Sequence, residues 1–168
     1  MPDFFRATPS TQSVNDIFLR PGEFYFGQGH IRLRTLLGSC IAIVLWVPKL
    51  NLGGMCHFML PQRRHGIAAP APDGRYADEA MQLFDQALLQ YGVSAQQCQA
   101  KLFGGGRMFG EHIATLDIGE RNLTAAYHLL AQRRIPVVAE HVGGYGHRRI
   151  VFDIWSGDVW VSFQEGIA

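Results

Sequence analysis

The sequence predicts a single α+β domain with a mixed or antiparallel β-sheet core of sandwich type and two main helices packed on it. Three observations carry that expectation. Ile41 to Val47 is an unbroken apolar, β-branched-rich run, the mark of a strand buried on both faces. Two segments, near 77–91 and 118–134, repeat apolar residues at helical spacing. The remaining apolar segments are short and bounded by Gly, Pro and Asn, so strands outnumber helices.

The elements follow in order. Residues 1–20 are polar and irregular and read as a flexible arm, leaving 21–168 as the domain. Phe24 to Leu37 alternates enough for one or two strands. After the strand at 41–47, Pro48 to Asn51 is a turn signal, and Leu52 to Leu60 is a further strand stopped by Pro61. A bulge at Gly53 would fit there. Residues 62–74 read as a loop. The first helix carries Ala77, Ala80, Met81, Phe84, Leu88 and Tyr91 on one face, Asp78 and Glu79 in its first turn and Gly92 as a stop. Lys101 to Phe103 is a short strand running into Gly104-Gly105-Gly106. The second helix opens on Asp117 with Glu120, a capping-box pattern, and closes before Pro136. Pro136 to Val142 is a strand, and Ile150 to Trp155 with Val159 to Phe163 forms a terminal hairpin about Ser156-Gly157.

Composition narrows the function classes. Apolar residues are 48% and charged residues 17% of the 168, with formal net charge +1. Basic residues cluster only as pairs such as Arg63-Arg64, Arg133-Arg134 and Arg148-Arg149, which argues against nucleic acid and membrane surfaces as partners. No apolar run is long enough to cross a bilayer, and the N-terminus has no apolar signal core. Cys40, Cys56 and Cys98 are odd in number and do not form a disulfide framework, so the cytoplasm is the expected compartment.

Cys40 and His57 are the pair that could carry chemistry. If strands 41–47 and 52–60 form a hairpin about 48–51, Cys40 lies opposite Met59. Side chains alternate with period two, so Cys40 and His57 share a face as diagonal neighbours. A one-residue slip would separate them. A free thiol titrates near 8.5, and a neighbouring imidazolium would stabilise the thiolate and lower that value. Gly38 and Ser39 leave room for a substrate, and backbone N–H groups near Cys40 could face an oxyanion. The opposing reading is that Cys40 is a core cysteine beside Ile41-Ala42-Ile43. Cys56 faces the other way and reads as packing, and Cys98 as incidental. Gly104-Gly105-Gly106 lacks the Lys-Ser/Thr of a phosphate loop and reads as a tight, closely packed turn. Cys40, Cys56, His57 and His65 have no metal-ligand spacing, so no metal is expected.

The run Thr35-Leu36-Leu37-Gly38-Ser39-Cys40 and the segment Gly53-Gly54-Met55-Cys56-His57-Phe58-Met59-Leu60-Pro61 resemble the CheD family of bacterial chemoreceptor glutamine deamidases. Arg75-Tyr76-Ala77-Asp78, Gly104 to Phe109, Ile118-Gly119-Glu120-Arg121-Asn122, Gly143-Gly144, Arg148 and Ser156-Gly157 extend the likeness over residues 20–164. The resemblance implies a fold related to cysteine-dependent deamidating toxins. It also implies hydrolysis of glutamine side chains on chemoreceptor helices to glutamate and ammonia, without a cofactor. Cys40 matches the nucleophile and His57 the histidine. Thr35 takes the third role, and Gly38 and Ser39 support the oxyanion. Cys56 stands where relatives often carry a small or amide residue. A helical substrate implies apolar groups at the rim, with Phe109 and Tyr145 as candidates; the opposing reading is that both rings only pack their own loops. A CheC-type phosphatase is a further partner. The alternative class is a non-catalytic binding module that regulates such a phosphatase or docks on receptors.

Overall fold

A computed structural model describes residues 12–64, 69–108 and 117–166. Its strands are β1 (Asn15–Phe18), β2 (Phe24–Gln28), β3 (Ile31–Leu37), β4 (Ile41–Val47), β5 (Leu52–Phe58), β6 (Gln99–Gly104), β7 (Val137–Val142), β8 (Gly146–Asp153) and β9 (Val159–Glu165). The helices are α1 (Ala77–Gln90) and α2 (Ile118–Gln132). The strands form a four-stranded sheet in the order β1-β3-β8-β9 and a five-stranded sheet in the order β2-β5-β4-β6-β7. β1 runs parallel to β3 and β6 parallel to β7, while all other pairings are antiparallel. The α+β domain with a mixed, sandwich-like core and two helices is therefore what the chain forms.

Three layers result. Leu33, Leu37, Ile150 and Phe152 of the smaller sheet meet Ala42, Val44, Met55 and Phe103 of the larger one. The other face of the larger sheet presents Ile41, Ile43, Leu45, Cys56 and Phe58 to Ala80, Met81, Phe84, Ala126 and Leu130 of the helices. β4 lies between β5 and β6 and is covered on both sides, so its residues read as a continuous apolar run rather than an alternating one. Asp117 caps α2, its side chain accepting from the Glu120 N–H at 3.1 Å.

Some expectations need correction. The arm expected over residues 1–20 ends in regular structure: Asn15–Phe18 pair with Ile31–Arg34, and Leu19 is buried. Such a short, mostly exposed strand has no apolar alternation to announce it. β5 ends at Phe58 and pairs with β4 in unbroken register through Gly53 and Gly54, so there is no bulge. β8 begins at Gly146 rather than Ile150, because Arg148 is buried inside the strand and disguises its pattern. Cys98 is also buried in the helix-side core.

Phe84 is fully buried where α1 crosses the sheet, and its ring meets Phe24 edge-on at 4.8 Å. Phe84→Ala should therefore lower unfolding free energy by about 3–5 kcal/mol in urea titration, with little change in the native circular dichroism spectrum.

Candidate active site

The hairpin register places the pair. The β4–β5 ladder joins Ile41 to Phe58 and Ala42 to His57. His57 therefore points into the layer between the sheets, where Ala42 and Met55 lie and where the half-buried Cys40 packs. Cys56, one residue away, points to the helices. Adjacent residues on opposite faces cannot share one metal ion. His65 lies outside the described residues.

Thr35 comes from the other sheet. On β3, Leu33, Thr35 and Leu37 are buried toward the inter-sheet layer. The Thr35 hydroxyl lies 2.7 Å from His57 Nδ1 and donates its single proton to the Leu19 carbonyl at 2.8 Å. It must then accept at His57, so Nδ1 carries the ring proton and Nε2 presents a lone pair. Nε2 is buried and has no hydrogen-bond partner among the described residues. That is the tautomer a general base requires.

Burial sets the charge states. His57 is 2% exposed, and loss of water pulls its pKa down to about 4. Burial raises the Cys40 thiol, and its own backbone amide dipole offsets part of the rise. The imidazolium–thiolate pair expected from the sequence is therefore not the resting state: both groups are held neutral. Cys56 and Cys98 are driven further, to about 12 and about 11.

The turn bearing Cys40 is the crossing from β3 in one sheet to β4 in the other. The Gly106 N–H donates to Gly38 O at 2.9 Å and the Gly105 N–H to Cys40 O at 3.0 Å. Gly104 must be glycine, because it has φ +107° and a Cβ there would fall 2.1 Å from Cys40 O. The glycine run thus packs against the Cys40 turn, as its composition suggested. Arg148 supports the outer side through Gly143 O at 2.6 Å, and the Gly143 N–H returns to Gly104 O at 2.9 Å.

Two side chains at this turn were not singled out from the sequence. The Met108 sulfur packs on Gly38, and Met108 is 45% exposed at the rim. Asn122 of α2 is fully buried, and its Nδ2 donates to Ser39 O at 3.1 Å and Met59 O at 2.9 Å. Of the docking candidates, Phe109 lies outside the described residues. Tyr145 is half-buried, its ring lies over Gly166, and it lines a cavity of about 400 Å³ with Gly105, Arg107 and Leu123.

This geometry can be set against known proteins. A family model described as CheD chemotactic sensory transduction matches residues 59–163. The "Probable chemoreceptor glutamine deamidase CheD 3" of Dechloromonas aromatica (strain RCB) is 47% identical over 161 residues, covering 95% of this chain and 93% of that protein. The chain belongs to the CheD family. A CheD protein of Pseudomonas savastanoi pv. phaseolicola is 47% identical over 155 residues, spanning 90% of this chain and 86% of its own length. A CheD 1 protein of Leptospira interrogans is 41% identical over 161 residues, spanning 91% and 95%. The family model starts beyond Cys40 and His57, whereas the likeness to the Dechloromonas CheD protein extends over nearly the whole chain.

The depressed pKa of His57 has a thermodynamic consequence for this CheD-family chain. Its folded value, about 4, lies below the ordinary 6.5, so between those values the unfolded chain holds a proton that the folded chain does not. Stability from this group is full above pH 6.5 and is lost as pH falls toward 4. From pH 7 to pH 4 the wild type should lose about 3 kcal/mol more than His57→Gln in urea titrations. Equal losses in the two proteins would show that His57 titrates normally.

Proposed function

We propose that this chain hydrolyses the side-chain amide of specific glutamines on chemoreceptors, yielding glutamate and ammonia, with Cys40 as nucleophile, His57 as base and acid, and Thr35 as the residue that orients His57. The observation that carries this reading is the bond from His57 Nδ1 to Thr35, which leaves Nε2 bare on the face shared with Cys40. Family membership supplies the substrate class, since the curated relatives are named as chemoreceptor glutamine deamidases.

Nε2 takes the thiol proton as the sulfur of Cys40 attacks the carboxamide carbon. The oxyanion forms against backbone N–H groups of the Gly38-Ser39-Cys40 turn. His57 then returns the proton to the leaving nitrogen, which departs as ammonia and leaves a thioester. Water attacks the thioester, giving a proton to Nε2, and the thiol leaves with that proton, releasing glutamate. The protein ends as it began, and the net reaction consumes one water for each glutamine. No step calls for a cofactor. Neutral resting groups suit this cycle, because proton transfer and attack occur together rather than from a preformed thiolate.

No described helix is long and apolar enough to cross a membrane. A substrate on the cytoplasmic helices of a receptor gives the cytoplasm as the compartment. A CheC-type phosphatase is the second partner this reading carries over from the family resemblance.

Purified protein mixed with a receptor cytoplasmic fragment, followed by peptide mass mapping, tests the activity. Cys40→Ala should abolish conversion of glutamine to glutamate, and His57→Ala should reduce it by about 10²–10⁴-fold. Thr35→Ser should stay near wild type, while Thr35→Val, lacking the hydroxyl, should fall by about tenfold or more. Conversion at the wild-type rate by Cys40→Ala would remove the nucleophile. Binding of receptor without conversion by the wild type would leave a docking module.

Docking adds a separate expectation. A helix presented to Cys40 passes the rim formed by Met108 and the loop of Tyr145, so Tyr145→Ala should raise KM for the receptor fragment several-fold. Its kcat and the rate of Cys40 alkylation should not change. Unchanged receptor kinetics would place Tyr145 outside the docking surface.

A further inference from the structure

The backbone ladder between β4 and β5 ends one residue short of the nucleophile. Ile41 and Phe58 are the last pair. Beyond them Met59 N–H turns to Arg75 O at 2.8 Å, while residues 38–40 leave for the other sheet. Cys40 thus sits at the open end of the hairpin with His57 two positions inside it. An open end is where paired strands separate most readily, because no further backbone bond holds them.

Asn122 closes that end. Its Nδ2 bonds Ser39 O on the β4 side and Met59 O on the β5 side, replacing the missing rung with a side-chain amide. The amide can have only one orientation, since the flipped form would set its oxygen against two carbonyls. The cost is visible: Asn122 Oδ1 is buried without a partner among the described residues. α2 is built to deliver this group. Gly119, three residues earlier on the same helix face, lets the first turn sit on the glycine run, because a Cβ there would fall 2.5 Å from Gly105 O and 2.8 Å from Gly106 O.

The bond to Ser39 O has a second effect. In a trans peptide, C=O and the following N–H point in opposite directions. With Ser39 O drawn toward α2, the Cys40 N–H is aimed away from α2. One amide therefore ties the segment that carries Cys40 to the strand that carries His57 and sets the direction of the Cys40 N–H.

We infer that Asn122 is a positioning residue for the Cys40–His57 pair, acting by tying the Ser39 and Met59 carbonyls together across the open end of the hairpin. The inference rests on the active-site reading given above. A double-mutant cycle on iodoacetamide labelling of Cys40 tests it. Labelling is followed by mass mapping in wild type, His57→Ala, Asn122→Ala and the double variant, at a temperature where circular dichroism shows all four folded. In the wild-type background His57→Ala should slow Cys40 labelling by about tenfold or more. In the Asn122→Ala background it should change labelling by less than about twofold. Receptor deamidation by Asn122→Ala should lose about tenfold or more in kcat with KM held within about twofold. Asn122→Asp keeps the shape but sets oxygen against both carbonyls, and it carries the same cycle if the alanine variant does not fold. An undiminished His57 effect in the Asn122 variant, with kcat intact, would overturn the inference and leave Asn122 as a helix anchor. No His57 effect even in the wild-type background would instead overturn the Cys40–His57 pairing itself.

Discussion

The hydrogen bond between Thr35 Oγ1 and His57 Nδ1, 2.7 Å long, joins the two sheets inside a layer built mostly of apolar side chains. Its geometry can exist only if β3 and β5 belong to different sheets with their inward positions facing each other. It therefore depends on the crossing at 38–40, and that crossing carries Cys40. The bond also needs a third group to set its direction, because a hydroxyl facing only an imidazole nitrogen could donate or accept. The Leu19 carbonyl supplies this, and β1 holds Leu19 in place. The N-terminal strand thus reaches the chemistry through a main-chain oxygen and a threonine.

The dryness of that layer governs the charge states. An imidazole with almost no exposure, bonded at one nitrogen to a neutral hydroxyl, gains nothing from a proton at the other. No described carboxylate bonds to it to reverse the balance, so the ring is a base held ready rather than a cation. The thiol is subject to the same rule in the opposite chemical sense: desolvation favours S–H over the thiolate. The sequence suggests an ion pair because proximity without burial favours charges. Burial decides against them here, and in the proposed cycle it makes the attacking sulfur depend on Nε2 at the moment of reaction.

The sequence revealed most where information is local. The apolar run of β4, the turn at 48–51 and strict alternation placed Ile41 opposite Phe58 and put Cys40 and His57 on one face. The periods of α1 and α2 and the Asp117 cap were equally legible. What stayed hidden is non-local or runs against type. β1 is short, exposed and paired in parallel with a strand beyond β2, so neither its length nor its pattern signals it. Arg148 sits buried in β8, on the face where an apolar residue is expected, and this shortens the apparent strand. Asn122 follows the helical period of a buried position, yet nothing in the period says that its amide reaches two carbonyls on separate segments.

These hidden groups share a physical origin. A strand interior offers a nucleophile no usable N–H, since the ladder consumes its donors, and it covers the thiol. A loop offers both but does not hold them to within the fraction of an ångström that attack requires. Cys40 lies between these limits, just outside β4, where pairing has stopped but its face is still inherited from the strand. The restraints that backbone pairing no longer supplies come from elsewhere: Gly105 and Gly106 hold the turn by its carbonyls, Met108 covers Gly38, and Asn122 spans the gap to β5. Each acts on a main-chain oxygen or on the space of a missing Cβ, so none needs a reactive side chain of its own. This accounts for a turn surrounded by glycine and amide while the chemistry proposed for it is confined to three side chains, and it explains why α2, which supplies none of the three, has its first turn fitted so closely against it.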